Sequence, residues 1–159
     1  MELRLLGLSE AQRNLANASR LIAAASFAKA LDRAAGVFAA EVELRASALV
    51  GESGSGTPLA EHVITSVEVD AQGRGGRAQV GFDSSQDERT GKPQDLKALW
   101  VEYGHIQLTH KGDAPVKGKK FVPAEPFMRP AFEAAARPAL EVFTEAIAES
   151  LDSLVANHV

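Results

Sequence analysis

The stretch SFAKALDRAAGVFAAEVELRASALV, residues 26–50, decides the fold class. Phe27, Leu31, Ala35, Phe38, Val42, Ala46 and Leu49 recur at steps of three and four, the spacing of one apolar stripe on an α-helix. Alanine, the best helix former, fills much of the remainder, and no proline interrupts residues 9–50. Upstream, Ser9 and Gln12 have the spacing of a capping box, in which each side chain satisfies an orphan N–H at the other's position. The whole run is several times the usual helix length of roughly 11–12 residues. The pattern therefore predicts two helices, about 9–23 and 26–50, with a break between Ala25 and Ser26.

Downstream, Gly51-Glu52-Ser53-Gly54-Ser55-Gly56 stops the helix and frees the backbone. Thr57 and Pro58 read as N-cap and first position of a short helix over 59–62. Residues 64–69 and 77–82 alternate as half-buried strands, the second with Ala78, Val80 and Phe82 on one side. Gly73-Arg74-Gly75-Gly76 between them supplies a hairpin turn. After a polar loop over 83–93, Asp95 can cap a helix whose Leu96, Leu99, Trp100 and Tyr103 share a face, and Gly104 ends it. The 105–124 segment is a long loop with a short strand at 106–108. From Pro126 the chain turns helical again, with Phe127, Ala131 and Ala134 on one face and Leu140, Phe143, Ile147, Leu151 and Leu154 following. Pro138 lies inside that run and should kink the helix or start a new one, because its ring clashes with the carbonyl four residues back.

The expected fold is α+β: two N-terminal helices (one long), a small antiparallel sheet with a β-hairpin, a short central helix, and a kinked or broken C-terminal helix. At 159 residues it should form a single domain over 1–159.

Composition narrows the chemistry. The chain has no cysteine, which excludes thiolate catalysis, disulfides and zinc sites built on Cys. Residues 1–8 lack the apolar core of a signal peptide, and no run approaches the ~18 apolar residues of a membrane helix. A net charge of -4 argues against a dedicated nucleic-acid binder. Neither a G-x-S-x-G elbow nor an H-E-x-x-H zinc motif occurs. The 51–57 segment matches a phosphate-binding loop up to its sixth position, but Thr57 stands where the phosphate-reaching lysine belongs. Helix, not strand, precedes it. His62, His105, His110 and His158 read as ordinary surface histidines; His105, His110 and Asp113 share a loop without a spacing that fixes metal geometry. No catalytic, metal or cofactor-binding residue is therefore expected, and no enzyme.

Two features remain. Lys111, Lys117, Lys119 and Lys120 oppose only Asp113 in the loop that precedes residue 121, a local basic patch on an acidic chain. It reads either as a solvated loop or as a contact for an acidic partner surface or, through phosphates only, for passing DNA. The other feature is a pair of segments, Trp100-Val101-Glu102-Tyr103-Gly104 and Pro123-Ala124-Glu125-Pro126-Phe127-Met128-Arg129-Pro130-Ala131. Pro126 pre-sets φ for helix entry, Phe127 and Pro130 can pack beside Trp100 and Tyr103 as a hub, and Arg129 can pair with Glu102.

At these residues the chain resembles the tail-completion (head–tail joining, neck) proteins of long-tailed bacteriophages. The resemblance runs in order along most of the chain. It comprises the N-terminal helices, Gly56-Thr57-Pro58-Leu59 in the place of a Thr-Gly-x-Leu-like segment, the aromatic-Glu-aromatic-Gly signature ending at Gly104, and the P-x-x-P-F-x-R-P-A signature of 123–131. It implies a virion structural protein without enzymatic activity, forming a homo-oligomeric, typically hexameric, ring that joins the capsid connector or stopper to the tail tube. Such a ring is assembled in the host cytoplasm and sits at the neck, where the lysines can contact genomic DNA in the lumen; no membrane is involved. The alternatives are a phage assembly factor or chaperone absent from the mature virion and, more remotely, a nucleotide-binding protein using the 51–57 loop.

Overall fold

The computed structural model describes residues 8–53, 59–70, 75–87, 91–109 and 118–156; within these, the side chains of 8–19, 50–53, 107–109, 118–119 and 154–155 lie outside the description. The fold is α+β, as the sequence pattern implies. In chain order it runs α1 (Leu8–Ser53), a 3-10 turn (Leu59–His62), β1 (Val63–Val69), β2 (Gly76–Phe82), α2 (Gln94–Tyr103), β3 (His105–Thr109), β4 (Gly118–Val122) and α3 (Met128–Ala156).

The two expected N-terminal helices are one. α1 continues unbroken for 46 residues, roughly 70 Å at 1.5 Å per residue. Its length is set by packing along α3, which overrides the small propensity cost of Ser26 and of Gly36. Phe27 meets Phe143 edge-on at 5.5 Å, and Phe38 meets Phe132 at 4.8 Å, so the two long helices run antiparallel. The helix also passes the expected stop at Gly51 and ends at Ser53. The Ser9–Gln12 box lies where side chains are outside the description, as do residues 54–58 in full.

The predicted stripe of α1 is the buried one: Ala35, Val42 and Ala46 are buried, and Phe27, Leu31, Phe38 and Leu49 are half-buried. On α3 the outcome differs. Its inward stripe is Ala131, Ala135, Ala139 and Ala146, facing the small Ala30, Ala35 and Ala39 side of α1, while Leu140, Leu151 and Ala134 are exposed. Small side chains let the helices approach closely, and the large ones are left at the flanks. α3 also continues through Pro138 instead of restarting there. Pro138 faces solvent, where the carbonyl that loses its partner can turn to water.

β1 and β2 pair antiparallel from Val63↔Phe82 to Val69↔Gly76, and both strands lie against α1. Gly76 sits so tightly there that a Cβ would come within 2.7 Å of the Glu68 carbonyl and 2.9 Å of Leu31. Thr65 lies opposite Val80 and Val67 opposite Ala78, so these residues share the face of Val63 and Phe82; Ile64, Ser66 and Glu68 face outward. One core joins the layers: Val42 and Ala46 of α1, Leu59, Ala98 of α2, and Phe127 and Ala131 at the start of α3. The short strand expected at 106–108 is β3, and it has a partner that the sequence pattern did not disclose, β4. The two form a separate two-stranded ribbon from His105↔Val122 to Thr109↔Gly118. Among the described residues, no helix is long and apolar enough to cross a membrane.

Candidate functional site

The two signature segments meet at the end of α2. Gly104 terminates that helix with φ 73° and ψ 165°, a backbone region essentially reserved for glycine. A Cβ there would also lie 2.8 Å from the Val122 carbonyl oxygen and 2.9 Å from the Ala124 nitrogen. The aromatic-Glu-aromatic-Gly turn is thus pressed directly against the beginning of the proline-rich segment. The Glu125 N–H donates to the Val101 carbonyl at 2.8 Å, and the β3–β4 ladder opens immediately after Gly104 at His105↔Val122.

Glu102 completes the joint. Its carboxylate accepts from the backbone N–H groups of Phe127 (2.8 Å), Met128 (2.9 Å) and Arg129 (3.4 Å). A helix start leaves its first N–H groups without intrahelical partners and carries partial positive charge, so an anion placed there satisfies both demands. Glu102 is therefore a helix cap supplied by another helix. The expected Glu102–Arg129 side-chain pair is not formed: Arg129 reaches Glu102 through its main chain, and its exposed side chain makes no ion pair among the described residues. Pro130 follows in the first turn of α3, where a missing N–H costs nothing.

The expected aromatic hub is divided. Phe127 is 2% exposed and packs edge-on against Phe82 at 5.8 Å, inside the core. Trp100 instead stacks on His105 at 5.0 Å, at the root of the ribbon. Tyr103 is 69% exposed and Leu99 53%, because Gln94, Ala98 and Val101 form the inward side of α2. Pro130 is half-buried. Asp95 does not cap α2 as expected; Pro93 occupies that position without a side-chain bond, and Asp95 accepts from the Leu96 N–H and the Ser84 hydroxyl.

Leu99 and Tyr103 border a cavity of ≈ 290 Å³ with Phe82, Ala98 and Met128; Asp95 and Glu102 also line it, the first with its carboxylate on Ser84 and the Leu96 N–H, the second with its carboxylate on the start of α3. Its size is at the lower limit of small-molecule sites, about 300–1,000 Å³. Its mostly apolar lining suits an apolar group.

A cluster that the sequence reading missed joins the 3-10 turn to the end of β2. His62 Nδ1 lies 3.1 Å from Asp83 Oδ2 and 3.1 Å from Ser85 Oγ, and the Ser85 hydroxyl also donates to Asp83. These bonds from Ser85 and His62 hold the Asp83 carboxyl below its ordinary range. The three residue types are those of a serine nucleophile relay, but the geometry is not. In a relay the hydroxyl and the carboxylate address opposite ring nitrogens; here both address Nδ1, and Nε2 is buried with no hydrogen-bond partner among the described residues. The cluster is a clasp. Only the hydrogen-bond pattern of the fold reveals it, since His62 and Asp83 are separated by the whole hairpin.

Of the four lysines, Lys120 is exposed in β4 opposite Gln107, and Lys119 holds the β4 position opposite Leu108. Lys111 and Lys117 lie outside the described residues, as do His110, Asp113 and His158. Among the described residues no group of three His, Asp or Glu side chains could hold a metal. Compared with known protein families, curated proteins and solved structures, the chain matches no family model, no curated protein and no solved structure.

Proposed function

We propose that this chain is a structural subunit of the head–tail interface of a long-tailed bacteriophage, forming a ring that joins the capsid connector to the tail tube. The observation that carries the reading is the joint between Trp100–Gly104 and Pro123–Ala131. These are the signatures on which the family resemblance rests, and Glu102, Gly104 and the Val101 carbonyl make them one mechanical unit. Of the family's other expected parts, the hairpin and the C-terminal helix accompany it in the same order, while a single long helix stands where the resemblance implies an N-terminal pair. The work assigned to the molecule is assembly and not turnover. The cavity beside Leu99 and Tyr103 and the exposed Ile106–Phe121 face of the ribbon are two different surfaces, as a closed head-to-tail ring requires.

Mass spectrometry of purified virions tests the reading. A neck subunit remains in mature particles at low copy number, whereas an assembly factor or chaperone is lost before maturation. Absence of the chain from infectious particles contradicts the proposal.

A further inference from the structure

Among the described residues, the buried side-chain nitrogens and oxygens without a hydrogen-bond partner are His62 Nε2, Gln94 Nε2 and Oε1, and His105 Nδ1. All of them border α2. Gln94 is its first residue and is fully buried. His62 belongs to the 3-10 turn that packs against α2, and His105 stacks on Trp100 near the other end. A primary amide carries two donors and an acceptor. Leaving them unpaired in the interior costs folding free energy that an apolar side chain of the same shape does not. The docking of α2 is therefore penalised at both of its ends.

Its apolar anchorage is also small. The inward side is Gln94, Ala98 and Val101, while Leu99 and Tyr103 are exposed. The Lys97–Asp87 ion pair and the Gln94 N–H bond to the Ser85 carbonyl join α2 to the connection that precedes it, and can move with it. Its ties to the body are the Asp95 N–H on the Asp83 carbonyl, the Val101 carbonyl on the Glu125 N–H, and the Glu102 carboxylate on the start of α3. We propose that α2 is a releasable strap, which lifts from the core before the rest of the molecule unfolds. Release gives Gln94, His62 and His105 water as a partner. It also removes the Glu102 cap, so the first turn of α3 loosens in the same step. Local openings of this kind draw on elements with few buried apolar contacts. The strap is a property of the single chain and does not depend on the assembly reading.

Residue-resolved native-state hydrogen exchange on the full-length chain tests it. The amides of α2 should exchange together with those of Phe127 and Met128, about tenfold or more faster than the buried amides around Val42 in α1 and Ala135 in α3. A common rate for α2, α1 and α3 means that α2 leaves only on global unfolding, and overturns the inference. Gln94→Leu removes the unpaired amide and should slow exchange in α2 about tenfold. Gln94→Met provides the same measurement if the leucine variant does not fold. His105→Phe keeps a ring on Trp100 without the unpartnered nitrogen, and should slow exchange too. A folded Gln94 variant whose α2 exchanges as fast as wild type, or faster, shows that the amide does not weaken the docking and also overturns the inference.

Discussion

The Glu102 carboxylate lies 2.8 Å from the Phe127 N–H and 2.9 Å from the Met128 N–H, so the last turn of α2 caps the first turn of α3. Hydrogen bonds to a charged group contribute roughly 1.5–3 kcal/mol, and loss of a cap typically costs ~1 kcal/mol. Glu102→Ala should therefore destabilise the fold by about 2 kcal/mol in urea unfolding, and Glu102→Gln by about half as much. Arg129→Ala should stay within about ±0.5 kcal/mol, because its side chain is not part of the joint. Equal losses at Glu102 and Arg129 would restore the side-chain ion pair in place of the cap.

Gly104 holds a backbone conformation that costs a residue with a Cβ about 1–3 kcal/mol, and the added atom also meets backbone at Val122 and Ala124. Backbone cannot rotate away. Gly104→Ala should lower the melting temperature markedly and uncouple the ribbon, seen as faster amide exchange in β3 and β4. An unchanged melt would show that the segments are not pressed together.

Phe127→Ala should cost roughly 3–5 kcal/mol, the range for a fully buried aromatic. Tyr103→Ala, on the exposed side of α2, should leave stability within about 0.5 kcal/mol and weaken self-association instead. The contrast separates core from contact surface on residues that the sequence groups together.

Asp83 makes a pH-dependent contribution. Its folded-state pKa is lowered by bonds from Ser85 and His62, so folding favours the ionised form. The resulting stability is fully present above the unfolded carboxylate value of about 3.9 and is lost as pH falls through the lower folded value. Asp83→Asn should melt below wild type at neutral pH, and the gap should close as the solution is acidified below about pH 3.9. A gap that persists in acid would assign the effect to something other than ionisation.

The parts of this molecule that periodicity encodes were legible: the α1 stripe, the hairpin and the stop at Gly104 all follow from local spacing and backbone preference. Length statistics misled at Ala25 and Ser26, because packing on α3 sustains a helix far longer than average. Large residues misled on α2 and α3, where Leu99, Tyr103, Leu140 and Leu151 sit outside and alanines sit inside. Hydrophobicity marks what could be buried; which stripe is chosen depends on the partner surface. The Glu102 cap and the His62–Asp83 clasp were illegible for a simpler reason. Both join residues brought together only by the completed chain path. The strand over Gly118–Val122 was masked by its lysines, which read as loop until pairing with β3 is known.

The role proposed for this chain is that of a neck component. Imaging of the head–tail junction in intact particles, at side-chain resolution, tests it most directly. The expected result is a closed ring of copies between connector and tail tube, each recognisable by the α1–α3 helix pair and the Glu102-capped start of α3. A junction fully accounted for by other proteins, with no density for this chain, would contradict it.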